Sequence, residues 1–159
     1  MKKTLLLLTA IVFAVTSCEY DGTYKNGDYK VKFSEPHYGW TAFVEFTLDK
    51  DEIANVDYDY LDADGNLKSE NDGYQAAMES NWVNLENGDS IQPGIGPQDY
   101  CPDIEAAIKQ TEIVPEYVEI DNITGATSSV KSANALMNAG LEAAIVGTEG
   151  EIVIDPLSK

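Results

Sequence analysis

Apolar residues recur at every second position over most of residues 29–60 and chiefly at every third or fourth position in the segments beyond. Trp40, Ala42, Val44, Phe46 and Leu48 alternate with Thr41, Phe43, Glu45 and Thr47. Successive side chains of an extended backbone point to opposite faces, so this run predicts a strand with one face turned to a core. Tyr29, Val31 and Phe33 alternate with Lys30, Lys32 and Ser34 as a shorter strand, broken by Pro36 and Gly39. After a turn at Asp49-Lys50-Asp51-Glu52, Ile53, Val56, Tyr58 and Tyr60 predict a third strand, with Asp57 and Asp59 facing water. Short turns between neighbouring strands imply an antiparallel meander.

The helical period then takes over. Tyr74, Met78 and Trp82 fall at i, i+4 and i+8, with Asp72 as candidate N-cap. Residues 83–99 carry Gly88, Pro93, Gly94, Gly96 and Pro97 and predict a loop. Tyr100, Ile104, Ile108 and Thr111 predict a second helix, with Cys101-Pro102 at its junction with the loop. Glu112 to Ile120 reads as extended, interrupted at Pro115. Val130, Ala133, Met137, Leu141 and Ala144 mark the longest helix, and Ile152 to Ile154 supply apolar residues for an edge strand. The pattern predicts an α+β fold, an antiparallel sheet with helices packed on one side, in a chain of 159 residues that suits one domain.

Residues 1–18 read as an export leader. Lys2 and Lys3 precede the apolar run Leu5 to Val15, which is too short for a confident membrane span. The end, Val15-Thr16-Ser17-Cys18, resembles a bacterial lipobox, which implies a signal peptide over 1–17, cleavage before Cys18 and acylation of that residue. Several acyl chains on one residue anchor stably where one chain is marginal. Simple secretion with cleavage near Ser17 is the alternative. Residues 18–27 then form the lipidated cysteine and a polar tether, and 149–159 a C-terminal tail. Cys101 is left alone, unable to form an internal disulfide or a cysteine-based zinc site, and reads as a small, half-buried filler.

Lys plus Arg total 10 against 28 Asp plus Glu, a formal charge of −18, and no arginine occurs anywhere. So acidic a surface repels phosphate backbones, which argues against nucleic-acid binding, and it lacks the basic patch that anionic headgroups require. Any phosphate it holds must rest on backbone amides, a helix N-terminus or a covalent bond, because no arginine fork is available.

Several chemistries are poorly served. His37 is the only histidine, no Gly-x-Ser-x-Gly occurs, and no metal set is legible. His37, beside Tyr38, Gly39 and Trp40, suits packing or ligand contact better than general-base work. Asp62-Ala63-Asp64-Gly65-Asn66 resembles a calcium loop only in part. With Gly65 at the loop's sixth position, Tyr60 and Asn71 occupy the ends where acids belong, so an Asp-Gly turn is the better reading. Gly94 and Gly96 lack the frame of a dinucleotide fingerprint.

The segment Asp121-Asn122-Ile123-Thr124-Gly125-Ala126-Thr127-Ser128-Ser129 runs directly into the longest helix. Its hydroxyls and glycine fall at the first turn, where unpaired N–H groups and the helix dipole attract an anion, and Lys131 follows one turn in. An ordinary Ser/Thr N-cap accounts for one hydroxyl of the group, and the residues alone leave the two readings level.

Asp121-x-x-Thr124-Gly125-Ala126-Thr127 resembles the flavinylation signature of FMN-binding domains. That family includes the flavin subunits of sodium-pumping NADH:quinone reductases and flavin lipoproteins of extracellular electron transfer. The resemblance extends over roughly residues 21–148: Asp21-Gly22-Thr23-Tyr24, His37-Tyr38-Gly39-Trp40, Lys68-Ser69-Glu70, Tyr74 and Met78, Gly96-Pro97 and Tyr100 all follow in order. It implies a single FMN-binding domain over 21–148, with FMN joined to Thr127 by a phosphoester that a dedicated flavin transferase makes. Asp121, Thr124, Gly125, Ala126 and Ser128 are then the surrounding motif, and Trp40, Tyr74, Met78, Pro97 and Tyr100 are candidates for a flat platform under the flavin ring; each of these five also has a plain core reading at its spacing.

The implied function is an exported, membrane-anchored electron carrier in the cell envelope, facing the periplasm or exterior, rather than an enzyme with its own substrate. Its partners would be a flavin transferase, an electron donor and an acceptor, with the membrane engaged through the lipid alone. The alternative is a non-redox surface lipoprotein using the same fold as a ligand- or FMN-binding module. The acidic surface is expected to lower the potential of a bound flavin and to favour electropositive partners.

Overall fold

The structure is a computed structural model that describes residues 24–81, 83–84, 90–91, 94–110, 118–148 and 150–157. The leader, Cys18, Asp21 to Thr23, Trp82, Gly88, Pro93 and the stretch from Thr111 to Pro115 lie outside those residues.

Three strands form the expected meander: β1 (Gly27–Phe33), β2 (Thr41–Asp49) and β3 (Glu52–Leu61). β1 and β2 pair antiparallel with Tyr29 opposite Phe46 and Val31 opposite Val44. β2 and β3 pair antiparallel with Val44 opposite Tyr58 and Phe46 opposite Val56. The β2–β3 turn carries Lys50 at φ 51° and Asp51 at φ 64°, the two left-handed residues of a tight hairpin whose twist matches the strands.

Three helices and three short strands complete the described chain. Helix α1 is Asp72–Glu79, and strands β4 (Val83–Asn84) and β5 (Ser90–Ile91) form a small hairpin. Helix α2 is Pro97–Gln110, helix α3 is Thr127–Val146, and β6 is Glu151–Ile154. The main sheet runs β3-β2-β1-β6, with β6 parallel to β1, so the edge strand expected at Ile152 to Ile154 makes the sheet mixed. A parallel partner needs a long crossover, and α3 supplies it before the chain returns through Gly147 at φ 69°.

One face of the sheet carries the core. Tyr29, Val31 and Phe33 on β1, Ala42, Val44, Phe46 and Leu48 on β2, and Val56 and Tyr58 on β3 are buried with Ile104 and Ile108 of α2 and Ala133, Met137 and Leu141 of α3. The opposite face is mainly polar: Lys30 pairs with Glu45, Lys32 with Glu151, and the Thr47 hydroxyl donates to Asp28, while Phe43 is buried there with the Lys30 ammonium 5.4 Å from its ring centroid.

Four sequence expectations change. The cap of α1 is Asn71, whose Oδ1 accepts the Tyr74 N–H at 2.8 Å, and Asp72 is the first helical residue. Residues 83–99 are not one loop: they hold the β4–β5 hairpin and the first turn of α2, which starts at Pro97 because proline fits a position needing no N–H partner. Pro102 therefore lies within α2 rather than at its junction with the loop. Asp59 is buried rather than facing water, since its carboxylate accepts the Tyr60 N–H at 2.7 Å and both the N–H and hydroxyl of Ser69.

Candidate functional site

The motif of residues 121–129 enters α3 without an N-capping side chain. The N-cap position is Ala126, and no side chain bonds to the first-turn amides there. Thr124 and Gly125 make a turn closed by the Ala126 N–H donating to the Ile123 carbonyl at 2.9 Å, with Gly125 at φ 83°. The first bond onto the helix start is Val130 N–H to the Ala126 carbonyl at 2.9 Å, so the amides of Thr127, Ser128 and Ser129 precede the ladder. Asp121, Thr124, Gly125, Thr127 and Ser128 are exposed, and the Thr127 hydroxyl bonds to no described residue. The hydroxyls are thus not used as helix caps, and the plain capping reading of this segment is not realised.

Ser129 turns inward and ties this helix end to the sheet. It is 5% exposed, its hydroxyl accepts the Tyr60 phenol at 2.9 Å, and its carbonyl accepts the Tyr58 phenol at 3.0 Å. The two phenols also bond each other at 2.8 Å. Burial raises the pKa of both phenols, so each stays a protonated donor at neutral pH. Tyr100 of α2 joins the same cluster through Ser129 and is held well above the usual phenol range, again by burial first.

Beside Tyr60 stands Lys68. Its N–H donates to the Tyr60 carbonyl at 2.9 Å, which fixes the backbone where β3 ends. Its ammonium lies 4.5 Å from the Tyr60 ring centroid, 4.3 Å from that of Tyr74 and 5.8 Å from that of Trp40. Trp40 and Tyr74 meet edge to face, with centroids 6.1 Å apart. Both rings are half-buried, as is Met78 on the same helix as Tyr74. Lys68 and the two phenols are the members of this corner that sequence reasoning did not single out as site residues: Lys68 entered only within Lys68-Ser69-Glu70, and Tyr58 and Tyr60 only as strand residues.

The remaining candidates frame the corner. Pro97 and Tyr100 are buried and support it from below. Gly96 passes so close to α1 that an added Cβ would meet Gln75 Oε1 at 2.0 Å, and Gln75 bonds Asp99 at 2.7 Å and the Gln98 N–H at 3.1 Å. This clasp joins α1 to the start of α2. Ile95, just before it, packs against Gly125, where a Cβ would come within 2.9 Å of its Cγ1. His37 is exposed and rests edge-on against Tyr38, so it takes no part in the core.

An exposed hydroxyl without a partner among the described residues, first-turn amides, a buried ammonium and half-buried aromatic rings therefore gather where β3 ends and α3 begins. In chemical type they fit a phosphorylated aromatic group: the amides and dipole suit a phosphate, and the rings suit a flat heterocycle. A shallow depression also lies on the outer face of the sheet, lined by Asp28, Lys30, Glu45, Thr47, Asn55 and Asp57. It is across the sheet from this corner and offers chiefly charged side chains. Among the described residues no cluster of three metal-ligating side chains occurs, and no helix is long and apolar enough to cross a membrane.

The chain is 30% identical over 129 residues to the 15 kDa lipoprotein of Treponema pallidum (strain Nichols), an alignment covering 80% of this chain and 82% of the relative. The chain belongs to the 15 kDa lipoprotein family. This member of the 15 kDa lipoprotein family is also similar in structure to the CPE2226 protein from Clostridium perfringens, with a TM-score of 0.69 and 27% identity, over 85% of this chain and the whole of that one. No family model matches the sequence. For the 15 kDa lipoprotein family member described here, the likeness to FMN-binding domains rests on the residues quoted above.

Proposed function

We propose that this protein is lipid-anchored to the cell envelope through Cys18 and carries FMN on Thr127, moving electrons between envelope partners. The anchor is supported by the lipobox-like Val15-Thr16-Ser17-Cys18 and by the name of the Treponema relative. The observation that carries the flavin reading is the start of α3. Thr127 presents an exposed hydroxyl, without a partner among the described residues, at the first helical position, within an Asp-x-x-Thr-Gly-Ala-Thr frame, beside amides that the N-cap side chain does not bond. An ester at that oxygen keeps one negative charge at the positive end of the helix dipole, which makes an arginine clamp unnecessary in a chain that has none. A covalent link also suits an exported carrier, because a dissociating cofactor would be diluted away outside the cell.

Bound FMN supplies the redox chemistry. The chain supplies the attachment oxygen at Thr127, the amide donors of Ser128 and Ser129, and the aromatic walls of Trp40 and Tyr74. The test is intact and peptide mass after production with and without an active flavin transferase. A gain of one FMN less one water on the peptide holding Thr127, absent in Thr127→Ala, is the expected result. No adduct in the presence of a transferase that modifies a control substrate overturns the covalent carrier.

A further inference from the structure

Lys68 is the least expected side chain in the fold. The protein carries a formal charge of −18, and Lys30 and Lys32 pair on the surface with Glu45 and Glu151. Lys68 is instead 9% exposed and has no carboxylate within ion-pair distance among the described residues. Asp59, 3.9 Å from the Cys101 thiol, makes no ion pair with Lys68, and its oxygens accept from Ser69 and the Tyr60 amide. Removing an ammonium from water without a counter-ion is unfavourable. Three aromatic faces offset part of that cost. The arrangement holds a positive charge in place and leaves its anionic partner open.

The position of that charge narrows what the partner is. Lys68 stands over the ring of Tyr60, and the hydroxyl of the same ring bonds Ser129 in the first turn of α3. In the FMN reading the helix end would take the phosphate, whereas the ammonium sits among the rings that would flank a flat heterocycle. We propose that Lys68 is a positioning residue that offsets the negative charge a flavin acquires on reduction, and so raises the reduction potential of the site. The inference rests on the FMN reading above. Adding two electrons from an external low-potential donor and one proton from water leaves one negative charge on the ring system. Lys68 keeps its bonds and its protons and acts through charge alone. It thereby opposes the lowering expected from the acidic surface, and does so at short range, where solvent screens least.

The experiment compares flavinylated wild type, Lys68→Met, Lys68→Gln and Lys68→Arg, each checked for the FMN adduct by mass and for fold by circular dichroism, then titrated spectroelectrochemically with dithionite. In Lys68→Met and Lys68→Gln the reduced-to-oxidised ratio at fixed potential should fall about tenfold, equal to about 30 mV for two electrons. Lys68→Arg should stay near wild type. Adduct present with an unchanged potential in both neutral variants overturns the role of Lys68 and leaves the carrier standing. Absence of the adduct in wild type overturns the carrier and this inference together. If Lys68→Met does not fold, Lys68→Gln decides, and if neither neutral variant folds, the lysine is structural and the proposal is overturned.

Discussion

The Cys101 thiol is 3% exposed, with Sγ 3.9 Å from Asp59 Oδ1, and burial, then the charges of Asp59 and Glu105, push its pKa far above the ordinary thiol range. A thiol kept protonated and shielded is a poor nucleophile. Iodoacetamide at pH 8 should therefore leave the Cys101 peptide largely unmodified in the native protein and label it fully in guanidinium chloride, as read by peptide mass. Rapid native labelling would contradict the placement of this residue. The sequence reading made Cys101 a small, half-buried filler, and the structure instead buries it. The sequence misjudged the depth because depth depends on α2 packing against β3, a contact no local pattern encodes. Asp59 escaped the sequence reading for a similar reason. Alternation put it on the solvent face, and the turn through Ser69 then covered it.

At the level of elements, the segment leading to Thr127 is held by two side chains rather than by a strand partner. Asn138 accepts the Val118 N–H at 2.6 Å and donates to the Val118 carbonyl at 3.0 Å. Asn134 does the same for Ile120, at 3.0 and 3.3 Å. Residues four apart on a helix lie about 6 Å apart along its axis, close to the span of two extended residues, so one helix face can act as a short ladder. Val118 is fully buried, so Asn138→Ala should leave its amide and carbonyl without partners and lower stability by about 1–3 kcal/mol in urea unfolding. A loss below a few tenths would show that these bonds do not hold the segment. On the same helix Gly140 faces β2, where an added Cβ would meet Phe46 Cε1 at 2.5 Å. Gly140→Ala should cost about 1–3 kcal/mol despite alanine's better helix propensity, because backbone and ring must separate. A stabilised Gly140→Ala variant would count against this close packing. The helical period identified α3 correctly from Val130 to Ala144, yet the same period cannot say that its asparagines serve a neighbouring backbone. The meander was legible because alternation and turn residues are local, whereas the parallel pairing of β6 with β1 joins distant parts of the chain.

Across the whole molecule, charge decides how stability responds to pH. Burial raises the pKa of Asp57, with Glu45 and Asp59 adding to it and Lys30 opposing. Burial likewise raises that of Glu105, against the bond it accepts from the Tyr58 N–H, with Asp57 and Asp59 adding to the rise. Carboxyls that hold their protons more tightly when folded stabilise the native state at acid pH. That contribution is lost as pH rises from the ordinary carboxylate range through the higher folded values. Asp62 has the opposite sign, since Asn66 bonds to its carboxylate lower it, but it lies in an exposed turn where such effects are small. The net charge of −18 acts in the same direction as Asp57 and Glu105, because self-repulsion grows as carboxyls ionise. Thermal unfolding followed by circular dichroism should therefore give a higher Tm at pH 5 than at pH 7.5. Added sodium chloride should raise Tm at pH 7.5 and do less at pH 5, where fewer charges remain to be screened. A Tm that climbs from pH 5 to pH 7.5, or that salt lowers at neutral pH, would mean that paired carboxylates outweigh repelling ones. The sparse ion pairing of the described surface, with Lys30 and Lys32 alone in salt bridges, gives no source for that outcome.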